Sequence, residues 1–202
     1  MNRFRLPSDV SVIVRHDNTA MNVGQTLESL MEQTHPPRTI LVLVPDHLSG
    51  PLSDLRPYLP YVKCCSPTSL ASLPLREIGP YLMSVHSGEW LTATALEALE
   101  LVLDVHDEVA LVHGAWGIQG GTASTVPSTP RGKYRATPAT HIQGPAVLCR
   151  TPASRPFDVI RMAREEWWHH LGKQNHCFYN IPHLLGYTPA TMKPALSSHV
   201  QH

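Results

Sequence analysis

Residues 10–44 hold two short runs of branched apolar side chains, VSVIV and TILVLV, on either side of one amphipathic stretch. Neither run alternates apolar with polar in the manner of a half-exposed strand, so each reads as a strand covered on both faces. Between them Val23, Leu27, Leu30 and Met31 recur at helical spacing, and Pro36-Pro37 stops the helix. A strand, a helix and a strand within about 35 residues form a βαβ unit, which requires a parallel pair and a right-handed crossover. That single unit commits the chain to an α/β fold.

The remainder of the chain continues the pattern. YVKCC (61–65) and YLMSV (81–85) read as further strands, joined through a segment around Leu70 and Leu73 with helical character. Leu96, Leu99, Val102 and Leu103 form one helical stripe, with Thr94 and Glu97 at capping-box spacing and Thr92 as a competing cap. VALVH (109–113) and PAVLCR (145–150) are strands, 159–171 is helical, and 178–181 and 184–187 are short strands. Residues 120–143 are rich in Gly, Ser, Thr and Pro and carry Arg131, Lys133 and Arg135, which reads as a long flexible loop. The organisation expected is a single domain: 1–119 as one half, the loop 120–143, 144–196 as the second half, and a frayed tail at 197–202.

Composition narrows the class. A chain of 202 residues can bury roughly two-thirds of its unfolded surface without staples. Sixteen basic residues balance sixteen acidic ones, so no global field draws the chain to nucleic acid or to an anionic membrane, and an anionic ligand has to be caught locally. The four cysteines, at 64, 65, 149 and 177, form no CxxC pair, which points to reduced thiols in a cytoplasmic, soluble protein. The opening MNRFRLPSDVSVIV has an apolar run too short for a signal-peptide core or a membrane span. The scattered histidines show no metal-finger spacing.

In open parallel sheets ligands bind beyond the carboxyl ends of the strands, where helix starts and free amides point. Three polar turns qualify: Arg15 to Asn18, Pro45 to Ser49, and His86 to Glu89. In the usual doubly wound order they lie side by side and make a candidate nucleotide site. Polar residues end most strands, so spacing alone also fits an ordinary solvated rim. Trp90 and Trp116 fit either a sugar-stacking role or a core cap.

"VSVIVRHDNTAMNVGQTLESLMEQTHPP" followed by "TILVLV" resembles the opening of family 2 nucleotide-sugar glycosyltransferases of the GT-A fold, whose usual form is a VSVIIPTYN strand, a TLESLLAQTYPP helix and a strand ending in two aspartates. "GEWLTATALEALELVLDVHDEVALVHG" is similar to that family's segment around the metal-binding DxD turn, "GPAVLCRTPASRPFD" to its acceptor-side strand and GFD turn, "REEWWHHLG" to its EDW helix, and "IPHLLGYTPATMKPALS" to its closing strand and arm. The resemblance spans nearly the whole chain in order. It implies an open, mostly parallel GT-A sheet with helices on both faces, a UDP-sugar donor, a hydroxyl acceptor and an inverting transfer.

The departures are chemical. Val44 and Pro45 stand where paired aspartates usually hold uracil and ribose, leaving Asp46 one place later. His86 and Gly88 take the two acidic places of the DxD turn, and only Glu89, next along, is acidic. Hard cations prefer oxygen ligands, so His86 with Glu89 is a poor Mg²⁺ site and a tolerable Mn²⁺ or Zn²⁺ one. Metal dependence is expected to be weak or absent.

An inverting transfer needs a base for the acceptor hydroxyl and positive charge for the leaving diphosphate. The resemblance places the base at Glu166, with Glu165 in reserve; adjacent helical acids diverge by about 100 degrees and cannot both face one acceptor. Without the resemblance both read as solvated surface acids. Arg15, Arg131, Lys133 and Arg135 are candidates for the diphosphate, Asp17 and Asp46 for base or ribose edges, and His86 for a hydrogen bond to phosphate. Two other readings stand beside the enzyme: a catalytically inactive binding or scaffold protein on the same fold, and transfer to a modified base in nucleic acid, which the zero net charge disfavours.

Overall fold

The computed structural model describes residues 8–16, 22–45, 53–71, 77–120, 124–125, 131–135, 142, 144–151, 170–171, 174 and 176–190. The βαβ unit forms as the sequence requires. Strand β1 (Val10–Arg15) and strand β2 (Thr39–Leu43) flank helix α1 (Val23–Met31) and pair in parallel, with Arg15 opposite Leu43. Val10, Ser11, Val12, Ile13 and Val14 are completely or almost completely hidden from solvent, as expected of a central strand.

The other strands are β3 (Lys63–Cys65), β4 (Tyr81–His86), β5 (Trp90–Leu91), β6 (Val109–Ile118), β7 (Ser124–Thr125), β8 (Gly132–Arg135), β9 (Val147–Arg150) and β10 (Cys177–Thr188). They form one sheet in the order β3-β2-β1-β4-β9-β6-β10-β5, with β7 added to β6 and β8 to β10. Strands β3, β2, β1, β4, β6 and β10 all run one way; β9 is antiparallel to both β4 and β6, and β5 is antiparallel to β10. The architecture is an α/β, mostly parallel open sheet.

Helix α1 and helix α3 (Ala95–Val105) cover one face, where Leu27, Leu30, Leu96, Leu99 and Leu103 meet Val10, Val12 and Val14. The opposite face carries Ile13, Leu82, Leu111 and Phe178, covered by Leu70 of helix α2 (Pro67–Ala71) together with Ile142 and Leu171. Each fully buried Leu or Val contributes about 1.5–3 kcal/mol, so both faces stabilise the sheet. All four cysteines are free thiols. No described helix is long and apolar enough to cross a membrane.

Several elements differ from the sequence expectation, among them the following three. Strand β6, expected over 109–113, runs on to Ile118 through Gly114 and Gly117. A Cβ at Gly114 would stand 2.6 Å from Leu185, and one at Gly117 3.0 Å from Tyr187, so the glycines admit β10 rather than break the strand. The two short strands at 178–181 and 184–187 are one long strand, with register shifts against β6 on either side of Leu184. The segment 132–135, expected within a loop, is strand β8: Tyr134 packs edge-on against Phe178 while Lys133 and Arg135 point outward. Of the helix expected at 159–171 only 170–171 are described, and these are helical; the tail lies outside the described residues.

Candidate functional site

The parallel registers bring three strand ends together. Arg15 pairs with Leu43 on one side and with His86 on the other, so the ends of β2, β1 and β4 are adjacent. The ladder continues one step past the strands: the His16 amide donates to Leu43 O at 3.0 Å and the Ser87 amide to Arg15 O at 3.0 Å. Side chains then join the turns. His16 Nδ1 and Ser87 Oγ are 2.9 Å apart, and both residues are almost wholly buried. The sequence showed His16 only as one histidine among many; its place one residue past a buried strand was the available signal.

The His86–Glu89 turn is built from inside. The Glu89 amide donates to His86 O at 3.0 Å, and in return the His86 amide donates to Glu89 Oε2 at 2.8 Å. Glu89 is fully buried. Gly88 adopts φ 89°, a left-handed conformation that side chains resist, which explains why a glycine stands in the middle of this turn. Its amide donates to the Thr26 hydroxyl of α1 at 2.9 Å.

Thr26 begins a polar seam between α1 and the segment that follows the turn. The Ser29 hydroxyl donates to Thr26 O and accepts from the Leu91 amide. The Gln33 amide group donates to Ser29 O and to Thr92 O, both at 2.8 Å, while its oxygen accepts from the Leu96 amide at 3.0 Å. Leu96 sits in the first turn of α3, where amides lack intrahelical partners, so Gln33 caps α3 from a different helix. The expected local capping box does not form. Thr94 occupies the cap position without a side-chain bond, and Glu97 accepts instead from the Thr34 hydroxyl at 2.7 Å.

The N-terminus of α1 also meets this end of the sheet. Asn22 caps it, accepting from the Gln25 amide at 3.2 Å, and no acidic residue occupies its first turn, so its positive dipole end is left for an anion. Arg15 and His86, paired at the ends of β1 and β4, are both half-buried. Asp17, Asp46, Glu165 and Glu166 lie outside the described residues.

Lys133 and Arg135 require a correction. Strand β8 runs antiparallel to β10, which puts Arg135 opposite Cys177, and Cys177 opposite Val109 at the amino end of β6. Lys133 Nζ is 2.8 Å from Glu108 Oε1, just before β6 begins. That hydrogen bond and charge pair hold the Glu108 carboxyl below and the Lys133 ammonium above their usual ranges. These two residues therefore belong to the end of the sheet remote from the Arg15–His86 turns. Arg131 is exposed and immediately precedes β8, on the same edge beside β10.

His86 and Glu89 do not fit a hard divalent cation. The carboxylate is buried, one of its oxygens accepts from the His86 amide, and the other side chain of the pair is an imidazole. Among the described residues no group of three or more His, Cys, Asp or Glu is placed to hold a metal ion.

No protein-family model and no curated protein matches this sequence. The fold does have solved counterparts. The chain is similar to S. aureus TarS residues 1–349 in complex with UDP-GlcNAc, with a TM-score of 0.67, 16% identity, and coverage of 94% of this chain and 60% of that one. The complex of the same TarS fragment with UDP gives 0.65 and 16% over 89% of this chain and 60% of that one. Full TarS gives 0.65 and 15% over 89% of this chain and 36% of that one. The sheet is thus GT-A-like in fold, as in the TarS fragment. The chain spans about 60% of the length of the TarS fragment it matches.

Proposed function

We propose that the chain transfers a sugar from a UDP-sugar donor to a hydroxyl acceptor with inversion at the anomeric carbon. The observation that carries this reading is the register that sets Arg15 between Leu43 and His86, in a sheet similar to one solved with UDP-GlcNAc. The diphosphate lies over the N-terminus of α1 against Arg15 and His86. Asp17 and Asp46 take the uracil and ribose edges. Glu166, with Glu165 in reserve, accepts the acceptor's hydroxyl proton as its oxygen bonds the anomeric carbon. The bond from that carbon to the diphosphate oxygen breaks, and the electron pair leaves with UDP. Positive side chains and the helix dipole supply the charge that a metal provides elsewhere, so transfer depends weakly or not at all on Mn²⁺ or Mg²⁺.

Replacing Glu166 by Gln tests the chemistry. Transfer from UDP-GlcNAc should fall by about a hundredfold or more, as for loss of a general base, while UDP affinity measured by calorimetry stays within about twofold. Undiminished turnover would remove Glu166 from this role. A second reading has specific support: Val44, Pro45 and Gly88 carry no ligand groups, and Glu89 is committed to its turn. On that reading the protein binds without catalysing, and a thermal-shift series with UDP-sugars, with and without Mn²⁺, would show no stabilisation by any of them.

A further inference from the structure

A cleft opens between α1 and strand β5 at the edge of the sheet. Gln25, Glu28, Ser29 and Glu32 lie at successive helical spacings on α1 and face Trp90 and Thr92 across a cleft of about 310 Å³. One wall is aromatic and the other is amide and carboxylate. The Trp90 ring stacks on Tyr187 with centroids 4.1 Å apart and planes 17° from parallel, so the indole is held from behind in a fixed orientation. Its Nε1–H finds no acceptor among the described residues. Glu28 is likewise oriented, accepting from the Tyr58 hydroxyl at 2.8 Å.

The lining decides the ligand's chemistry. Among the described residues of the cleft none is basic and two are carboxylates, a lining that disfavours phosphates, nucleotides and uronic acids. Amide and carboxylate groups bond to vicinal hydroxyls, and an indole offers a flat apolar surface. A pyranose presents both features, hydroxyls at its edge and a patch of C–H groups on its face. The volume is at the small end of ligand sites, which suits one or two sugar rings.

We propose that this cleft is a saccharide subsite for a neutral or amine-bearing pyranose, separate from the strand-end site. Trp90 supplies the platform, and Gln25, Glu28 and Glu32 read the hydroxyl edge. Ser29 serves the architecture, since its hydroxyl is already used toward Thr26 and Leu91. Trp90 directly follows the His86–Glu89 turn, so a glycan seated here extends away from the strand-end site along α1.

The test uses the full chain and three tetramers as probes: cellotetraose, chitotetraose and its de-N-acetylated form. Calorimetric titration should show binding by at least one of them. A Gln25→Ala/Glu32→Ala double variant, altered only on partly or fully exposed helix positions, should weaken it at least about tenfold, since each lost hydrogen bond removes about 1 kcal/mol. Trp90→Leu should do the same, with the double variant guarding against misfolding at this stacked position. Saturating UDP should leave the affinity unchanged. Binding by none of the probes at about 10 mM, weaker than the millimolar scale of a single weak subsite, would overturn the proposal. So would displacement by UDP, or full affinity in the double variant. A tetramer that binds where UDP does not would sink the donor reading and leave this one standing.

Discussion

Gln33 is the residue whose replacement most directly tests how the turn is held. It is fully buried, donates to two carbonyls at 2.8 Å and accepts from the Leu96 amide at 3.0 Å. In Gln33→Glu the shape and the acceptor to Leu96 are kept, but the donor becomes an oxygen facing the Ser29 and Thr92 carbonyl oxygens. Two hydrogen bonds of about 1 kcal/mol are lost and a carboxylate is buried against acceptors, for a total of about 3–5 kcal/mol near neutral pH. In a chain of this length each kcal/mol moves the melting temperature by about 2–4 °C, so a drop of roughly 6–20 °C is expected. The sign with pH follows from burial. The new carboxyl's folded pKa lies above its unfolded value of about 4.3, so the penalty is absent below that value. It grows as pH rises toward the folded pKa and is constant above it. Once protonated, the acid again offers one donor. Gln33→Leu removes all three bonds and its deficit against the parent should not vary with pH. Differential scanning calorimetry of parent and both variants between about pH 4 and pH 8 checks this, bracketing the acid's unfolded value. A Glu variant within about 2 °C of the parent at neutral pH, or a deficit that does not shrink in acid, would refute the seam's role.

Two further outcomes follow from described contacts. His113 is completely buried, Nε2 lies 2.7 Å from the Tyr134 hydroxyl, and burial pushes its pKa down from 6.5 to about 4. The unfolded chain therefore takes up a proton that the folded chain refuses, and stability falls as pH drops from about 6.5 to about 4, by about 3 kcal/mol in all. Urea denaturation across that window should show the loss in the parent and its absence in His113→Gln; equal losses in both would exclude His113 as the cause. Because Glu89 is committed to the turn, treatment with EDTA should change UDP affinity by less than about threefold, under 0.7 kcal/mol. A loss of tenfold or more, restored by Mn²⁺, would show that a cation contributes to the donor site.

The parts of the fold legible in the sequence are those whose signal is local and repeated. VSVIV and TILVLV announced buried parallel strands because no polar alternation interrupts them, and the Leu96–Leu99–Leu103 stripe announced α3. What was hidden depends on partners distant in sequence. The cap on α3 comes from Gln33, more than sixty residues earlier, so Thr94 and Glu97 gave a local signal that the tertiary structure overrode. The extension of β6 past His113 was hidden because the β10 side chains that Gly114 and Gly117 admit lie some seventy positions away. The same limit applies to the site. The adjacency of the Arg15 and His86 turns followed from the expected strand order, whereas the His16–Ser87 link needed coordinates. Lys133 and Arg135 were basic in a segment that read as a loop, and only the pairing of β8 with β10 shows which end of the sheet they occupy.

The pairing of β5 with β10 has a consequence for how the molecule comes into being. Trp90 and Leu91 are hydrogen-bonded to Tyr187 and Gly186, nearly a hundred positions downstream. During synthesis at about 5–20 residues per second the early βαβ unit can assemble while the ribosome is still elongating, but the exit from the Gly88 turn waits several seconds for its neighbour to emerge. Until then the indole lacks its backing ring, and a chain halted before residue 186 would carry the early strands yet leave that wall unbuilt.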